Sequence, residues 1–287
     1  MATETWYAAV PPLRHMGKSG AAGQRGGGTA TTAPLLTWHL WIDKSPRPGW
    51  TNMAIDHALL ERAEQQGESW LRLYQWAPHC LSFGRHEPAC LRYDAEHISA
   101  SGIDTVRRPT GGRAVWHAQE LTYSVATPYS RFGTLHAAYV EIHQMLANAL
   151  KMLGVAASLA DRRRTPPLDS GACFAHPVGG EIMMGGRKVV GSAQLRSGSA
   201  LLQHGSVLLQ DSQNVVRELM KEDRKPAPLP TQQEPWAEAG DVAEAITAVV
   251  TRRWQGDWER DTDEAALLRE ASIHFSHYSS AAWTWSR

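Results

Sequence analysis

The sequence predicts one α/β (α+β) domain, and three observations predict it. Leu36, Trp38, Leu40 and Ile42 alternate with polar neighbours, as Leu121, Tyr123 and Val125 do later, which is the period of a half-buried strand. Tyr139, Ile142, Leu146, Ala149 and Leu153 recur at helical spacing between about Leu135 and Leu153, with Gly154 as a C-terminal stop. Two apolar runs around Gly185-Gly186 read as a two-residue β-hairpin. At 287 residues the chain can bury one substantial core with room for an appendage.

Composition excludes several classes. Twenty-nine basic residues balance twenty-nine acidic ones, so no global field attracts nucleic acid or an anionic membrane. No run of about eighteen apolar residues exists, so no membrane span is expected. Three cysteines at irregular spacing make neither a disulfide framework nor a metal site, and a reduced, cytoplasmic setting is expected. Residues 1–34 read as a disordered N-terminal tail, because Pro11-Pro12 and Gly26-Gly27-Gly28 cannot bury enough apolar surface to offset their ordering entropy.

The remaining elements follow in order. Asn52 is suited to cap a helix with Ile55, Leu59 and Ala63 on one face. Leu71, Leu73 and Cys80 to Phe83 read as strands, as does Ile103 to Val106. Leu201-Leu202 and Val207-Leu208-Leu209 flank the polar Gln203-His204-Gly205-Ser206. After the Pro-rich segment 226–235, Asp241 and Glu244 form a predicted capping box for a helix with Val242, Ile246 and Val249 inward. A last helix is expected near 263–274.

Candidate chemistry concentrates in two stretches. The first is Arg107-Arg108-Pro109-Thr110-Gly111-Gly112-Arg113-Ala114-Val115-Trp116-His117. Its glycines permit close backbone approach to a ligand, and its arginines offer forked donors for a carboxylate or phosphate. An ordinary turn beside surface arginines is the competing explanation. The second is Glu181 to Val190, whose hairpin register sets Met184 opposite Arg187 and Met183 opposite Lys188. Lys188 then shares a face with Val190, which suits either a wet face or a functional lysine. The small residues Gly191-Ser192-Ala193 follow at once. Cys173 lies upstream, in Ala172-Cys173-Phe174. A nearby ammonium would lower its pKa and make it a nucleophile, although most free cysteines are inert buried residues. Cys80 and Cys90 are assigned to that inert class. His176 and His204 are possible bases or structural histidines.

These motifs resemble the biotin/lipoate protein ligase superfamily, and within it the octanoyltransferases built on the lipoate–protein ligase A scaffold (the LipM type). Arg107 to His117, Glu120 to Ser124, Gly186 to Gln194 and Leu202 to Ser206 carry the resemblance, together with Asn52 to Asp56 and Leu71 to Tyr74. It spans residues 35–255 as a catalytic domain and leaves 256–287 as a C-terminal helical extension.

The resemblance implies a mixed, largely antiparallel sheet flanked by helices, as in biotin ligases and class II aminoacyl-tRNA synthetases. It implies transfer of octanoyl from acyl carrier protein to a lysine of a lipoyl-accepting protein, the first step of protein lipoylation. The acceptor would be a glycine cleavage H protein or an E2 lipoyl domain. Cys173 and Lys188 would be catalytic. Arg108, Thr110, Gly111, Gly112, Arg113, Ala114, Val115, His117, Gly191, Ser192, Ala193, His204, Gly205 and Ser206 would bind substrate. No cofactor or metal is implied, and a monomer is expected. An ATP-dependent lipoate–protein ligase is the alternative, ahead of an amidotransferase working between lipoyl domains and of a non-catalytic acyl-binding protein. The basic run Arg162-Arg163-Arg164 is a candidate docking site for an acidic partner.

Overall fold

The computed structural model describes residues 37–160, 180–225, 234–260 and 262–287. The expected tail 1–34, Cys173, His176, Arg162-Arg163-Arg164 and most of the Pro-rich segment lie outside the described residues. Leu35–Arg287 forms one compact unit.

The strands, in chain order, are β1 (Thr37–Ile42), β2 (Ser69–Tyr74), β3 (Cys80–Phe83), β4 (Asp104–Arg107), β5 (Val115–His117), β6 (Glu120–Pro128), β7 (Ala157–Leu159), β8 (Ile182–Met184), β9 (Arg187–Ser197), β10 (Ala200–Leu208) and β11 (Asp257–Glu259). The helices are α1 (Gly49–Gln65), α2 (Ala89–Arg92), α3 (Ala95–Ala100), α4 (Leu135–Met152), α5 (Asn214–Glu218), α6 (Ala239–Arg253), α7 (Glu264–Ala271), α8 (Phe275–Tyr278) and α9 (Ala281–Thr284). Among the described residues the strands make two sheets. The larger runs β11-β1-β2-β6-β10-β9-β8-β7 and the smaller β4-β3-β5. In the larger sheet only the β11, β1 and β2 neighbours pair in parallel; the other pairings are antiparallel. This is the mixed, largely antiparallel sheet that the resemblance implied.

Helices cover both faces of the larger sheet. Leu71, Leu73, Tyr123, Val125 and Leu201 pack with Ile142 and Leu146 of α4 and Val242 and Ile246 of α6. On the opposite face Trp70, Tyr74, Ala126 and Leu202 meet Met53, Ile55 and Leu59 of α1. The β6 strand is therefore buried on both sides, with Thr122 and Ser124 on the α1 face and Thr127 on the α4/α6 face, and not half-buried as its alternation predicts. Two of the hydroxyls pair across the strands: Ser69 and Thr127 bond each other at 2.8 Å.

Two helix starts differ from expectation. Helix α1 begins after Pro48, whose missing N–H costs nothing at that place, so Asn52 sits inside the first turn. Its amide instead donates to the Arg47 and Gln75 carbonyls at 3.2 Å each, tying the helix to the strand connection. Helix α6 begins after Glu238, which places Asp241 in the first turn; no capping box forms, and Val250 replaces Val249 as the fully buried residue. The hairpin register is as predicted, with Met184 opposite Arg187 and Met183 opposite Lys188. The segment 256–287 carries the expected helices, but it opens with β11 in the domain's own sheet. Its Leu267, Ala271 and Tyr278 then join the α1 core, so it is continuous with that core.

Candidate active site

A pocket opens between the Gly111-Gly112 loop, β6 and the β9–β10 pair. The empty space within it, open solvent included, is about 400 Å³. Arg108, Gly111, Gly112, Val115, His117, Gly191, Ser192, Ala193, His204, Gly205 and Ser206 line it, as expected. Met53, Tyr74, Trp76 and Thr122 line it as well, without having been singled out from the sequence. The walls are mostly apolar side chain and bare glycine backbone.

Glycine chemistry shapes two of these walls. The Gly-Gly loop crosses the end of β3 so closely that a Cβ on Gly84 would lie 1.9 Å from the Gly112 carbonyl oxygen. Gly112 itself takes φ +95, a conformation unfavourable for other residues. On the far wall Gly205 pairs with Ser192, and a Cβ there would lie 2.4 Å from the Gly191 carbonyl oxygen. The sequence shows the Gly111-Gly112 pair plainly, but nothing in it marks Gly84 as their partner.

Arg107 and Arg108 are bonded mainly to main chain. Arg108 donates to the carbonyls of Ser82, Gly111 and Arg113, and to the Ser82 hydroxyl. Arg107 donates to the carbonyls of Gly84, Arg85, Glu87, Trp283 and Thr284. Both guanidiniums hold the loop and the C-terminal segment in place. Arg108 still lines the pocket, but its donors are taken up by main chain. Thr110, Arg113 and Ala114, also expected to bind substrate, are not among the residues lining the pocket. Ala114 joins the core of the small sheet with Leu81 and Phe83, and Arg113 contributes the carbonyl that Arg108 holds.

Thr110 bonds His204 Nε2 at 2.7 Å, and His204 Nδ1 meets Asp56 Oδ2 at 2.9 Å. Asp56 continues into a buried charge network. Arg72, with no exposed surface, bonds Asp56 at 3.2 Å, Asp43 at 2.7 Å and the Asn52 side chain at 2.7 Å. The Tyr74 hydroxyl donates to Asp56 at 2.9 Å. Burial would raise the Asp56 carboxyl, but His204, Arg72 and Tyr74 together hold it below its usual range. The Asp43 carboxyl is likewise lowered against its burial, by Arg47 and Arg72. His117 is fixed between Ser82 Oγ at 2.6 Å and the Glu120 carboxylate at 2.7 Å, with Trp76 stacked on its ring at 3.8 Å. Burial pushes His117 down despite Glu120, so a neutral ring donates to Glu120 and accepts from Ser82.

Lys188 is buried, not wet, and is not on the pocket wall. Its ammonium is 2.6 Å from the Glu181 carboxylate, so the hairpin folds its own counter-ion back onto it. Lys188 begins the stretch of β9 that reaches the pocket three residues later at Gly191. Between them stands a polar chain with a single consistent direction. Gln203 donates to the Tyr123 oxygen at 2.8 Å, Tyr123 to Ser192 at 2.6 Å, Ser192 to His143 Nε2 at 2.7 Å, and His143 Nδ1–H to the Gly180 carbonyl at 2.5 Å. The chain needs neutral His143. Burial brings its imidazole to about 4, against the Gly180 bond and with help from the Lys188 charge.

A stability consequence follows from His143. Its folded pKa lies below the unfolded value of about 6.5, so the unfolded chain takes up the proton first as pH falls. The His143 contribution is therefore present above pH ~6.5 and is lost as pH drops toward 4, by up to about 3 kcal/mol. Urea unfolding at pH 7 and pH 5 should show a smaller pH-dependent loss for His143→Gln than for the wild type. Equal losses would mean that His143 protonates without penalty.

The comparisons with known proteins agree with this geometry. Residues 48–240 match the lipoyl protein ligase A/B catalytic domain. Octanoyltransferase LipM of Carboxydothermus hydrogenoformans is 41% identical over 166 residues, covering 56% of this chain and 61% of that protein. Octanoyltransferase LipM of Moorella thermoacetica is 40% identical over 169 residues, covering 57% and 62%. The matched part thus spans less than two thirds of these relatives' own length. A putative lipoate protein ligase from T. acidophilum, solved with bound lipoic acid, superposes with a TM-score of 0.71 at 20% identity, covering 88% of this chain and 100% of that one. Lipoate-protein ligase A bound with ATP superposes with a TM-score of 0.71 at 20% identity, covering 87% and 99%. The chain belongs to the lipoyl protein ligase A/B catalytic domain family.

Proposed function

We propose that this protein is an octanoyltransferase that takes an octanoyl group from acyl carrier protein, holds it as a thioester on Cys173 and places it on a lysine of a lipoyl-accepting protein. A mostly apolar pocket whose lining guanidinium, Arg108, is bonded to main-chain carbonyls and to the Ser82 hydroxyl carries this reading. Such a cleft suits a saturated acyl chain better than a triphosphate. The relatives named above as octanoyltransferases support the same reaction.

The Cys173 thiolate attacks the octanoyl carbonyl, the carbon–sulfur bond to phosphopantetheine breaks, and the departing thiolate takes a proton. The acceptor lysine amine then attacks the acyl-cysteine, forms the amide with loss of one proton to solvent, and releases the Cys173 thiolate, so that the proton taken up in the first half is returned in the second. Lys188 supplies positive charge to the nucleophile, and Glu181 tempers it. Exchange between thioesters is nearly isoenergetic, so the cycle needs no ATP. The acceptor is a glycine cleavage H protein or an E2 lipoyl domain, and the enzyme acts as a monomer without a cofactor. Among the described residues no helix is long and apolar enough to cross a membrane.

Intact mass after mixing the protein with octanoyl carrier protein, without ATP, should rise by one octanoyl group. Lipoylation of a lipoyl domain from free lipoate and ATP, with no acylation from carrier protein, would instead identify an ATP-dependent ligase.

A further inference from the structure

Away from the pocket, α1 and the C-terminal segment bring two histidines and a carboxylate together. His57 and Glu61 stand one turn apart on α1, and His274 reaches them from the turn between α7 and α8. One ligand atom from each lies within 4.8 Å of the others. We propose that His57, Glu61 and His274 form a binding site for a divalent transition-metal cation of the zinc class, which clamps the C-terminal segment onto α1.

Three observations carry this. Three atoms within 4.8 Å of one another leave a central ion no more than about 2.8 Å from each, against about 2.0–2.2 Å in bound zinc sites. Turning the two rings out of their stack closes that gap. The donor set, two imidazoles and one carboxylate, suits borderline cations, and partial exposure leaves room for water at a fourth position.

The hydrogen bonds also prepare the first ligand. His57 Nδ1 meets the Tyr278 hydroxyl at 3.1 Å. With the proton on Nδ1, the Nε2 lone pair points toward Glu61, and at 3.9 Å from Oε1 it makes no hydrogen bond there. This is the arrangement of a metal-binding histidine oriented by its other nitrogen.

The two imidazoles stack 4.0 Å apart at 8°, so binding one ion in both ring planes requires the rings to turn out of this parallel arrangement. His274 Nε2 now holds Glu61 Oε2 at 3.0 Å; metal entry transfers its proton to solvent and turns the rings until their lone pairs converge. The site would fix residues 272–278 against the helix that also carries Met53 and Asp56 to the pocket.

The test is calorimetric titration of the chelator-treated full-length protein with Zn²⁺. One saturable site is expected, weakened at least tenfold by Glu61→Gln and by His274→Asn but unchanged by His97→Ala, on the exposed face of α3. Zn²⁺ should raise the melting temperature of the wild type and of His97→Ala, and not of the other two variants. Co²⁺ in place of Zn²⁺ should give visible d–d bands without thiolate charge transfer. Absence of a saturable site would overturn the proposal. Wild-type affinity in both ligand variants, or a thiolate band placing the ion on a cysteine, would overturn it too.

Discussion

Cys173→Ala is expected to lower octanoyl transfer by roughly 10⁴-fold or more, the scale on which removal of a covalent nucleophile acts. The other two cysteines provide the contrast. Cys80 is fully buried, and its thiol is raised well above the ordinary value by burial and the adjacent Asp104. Cys90 is exposed on α2, outside the pocket residues, and its thiol donates to the Trp285 carbonyl. Alanine at either position should leave transfer largely intact. The Lys188–Glu181 pair adds a second, opposite-signed pair of outcomes. Lys188→Ala removes a positive charge and should raise the pH midpoint of Cys173 alkylation. Glu181→Gln frees that charge and should lower the midpoint, by about one unit if the ammonium faces the thiolate closely. Alkylation followed by mass spectrometry across pH reads both shifts. Octanoyl peptides mapping to Cys80 or Cys90 would sink the nucleophile assignment, and a midpoint unmoved by either variant would assign Lys188 to holding the hairpin.

What the sequence disclosed depended on whether a residue's partner was local. The hairpin was legible for the two pairs nearest its turn, because a Gly-Gly turn fixes register there without help from the rest of the fold; beyond them a bulge moves Ile182 opposite Val190. Helix α4 was legible because its stripe and its Gly154 stop are properties of one segment. The pocket wall was also largely visible, since Gly111, Gly112, Gly191 and Gly205 stand out as bare backbone in conspicuous motifs. The function of Arg107 and Arg108 was not visible. Their acceptors are carbonyls at Ser82 to Glu87 and at Trp283-Thr284, whose proximity is created only by the tertiary fold. Glu181 was passed over for the opposite reason: it is seven residues from Lys188, and a hairpin bulge at Ile182/Met183 brings it round. Arg72 did leave a trace, as a lone cation in the apolar run Leu71-Arg72-Leu73-Tyr74. Its meaning depends on Asp43 and Asp56, which lie on two other elements.

Arg72→Met should destabilise the fold by about 3–5 kcal/mol, the cost of breaking a buried ion pair by removing one partner. The variant keeps the bulk of the side chain but leaves the Asp43 and Asp56 carboxylates under α1 with only Arg47 and His204 opposite them. The pH dependence distinguishes this from simple loss of packing. In the wild type both carboxyls have lowered folded pKa values, so their contribution is present above the unfolded value of about 3.9 and is lost as pH falls through the folded values. In Arg72→Met burial is less opposed and the folded pKa values rise, so acidification neutralises the stranded charges and relieves the variant. The stability gap measured by urea unfolding should therefore narrow from pH 7 toward pH 4. Adding Asp43→Asn and Asp56→Asn should recover part of the loss at pH 7, because the triple variant buries no unpaired charge. Activity should not recover with it, since Asp56 also holds His204 Nδ1 and thereby the face that His204 presents to Thr110 and the pocket. A gap that stays constant with pH, or a triple variant no more stable than Arg72→Met, would show that Arg72 contributes through packing on the Tyr74 ring, 3.9 Å away, and not through charge.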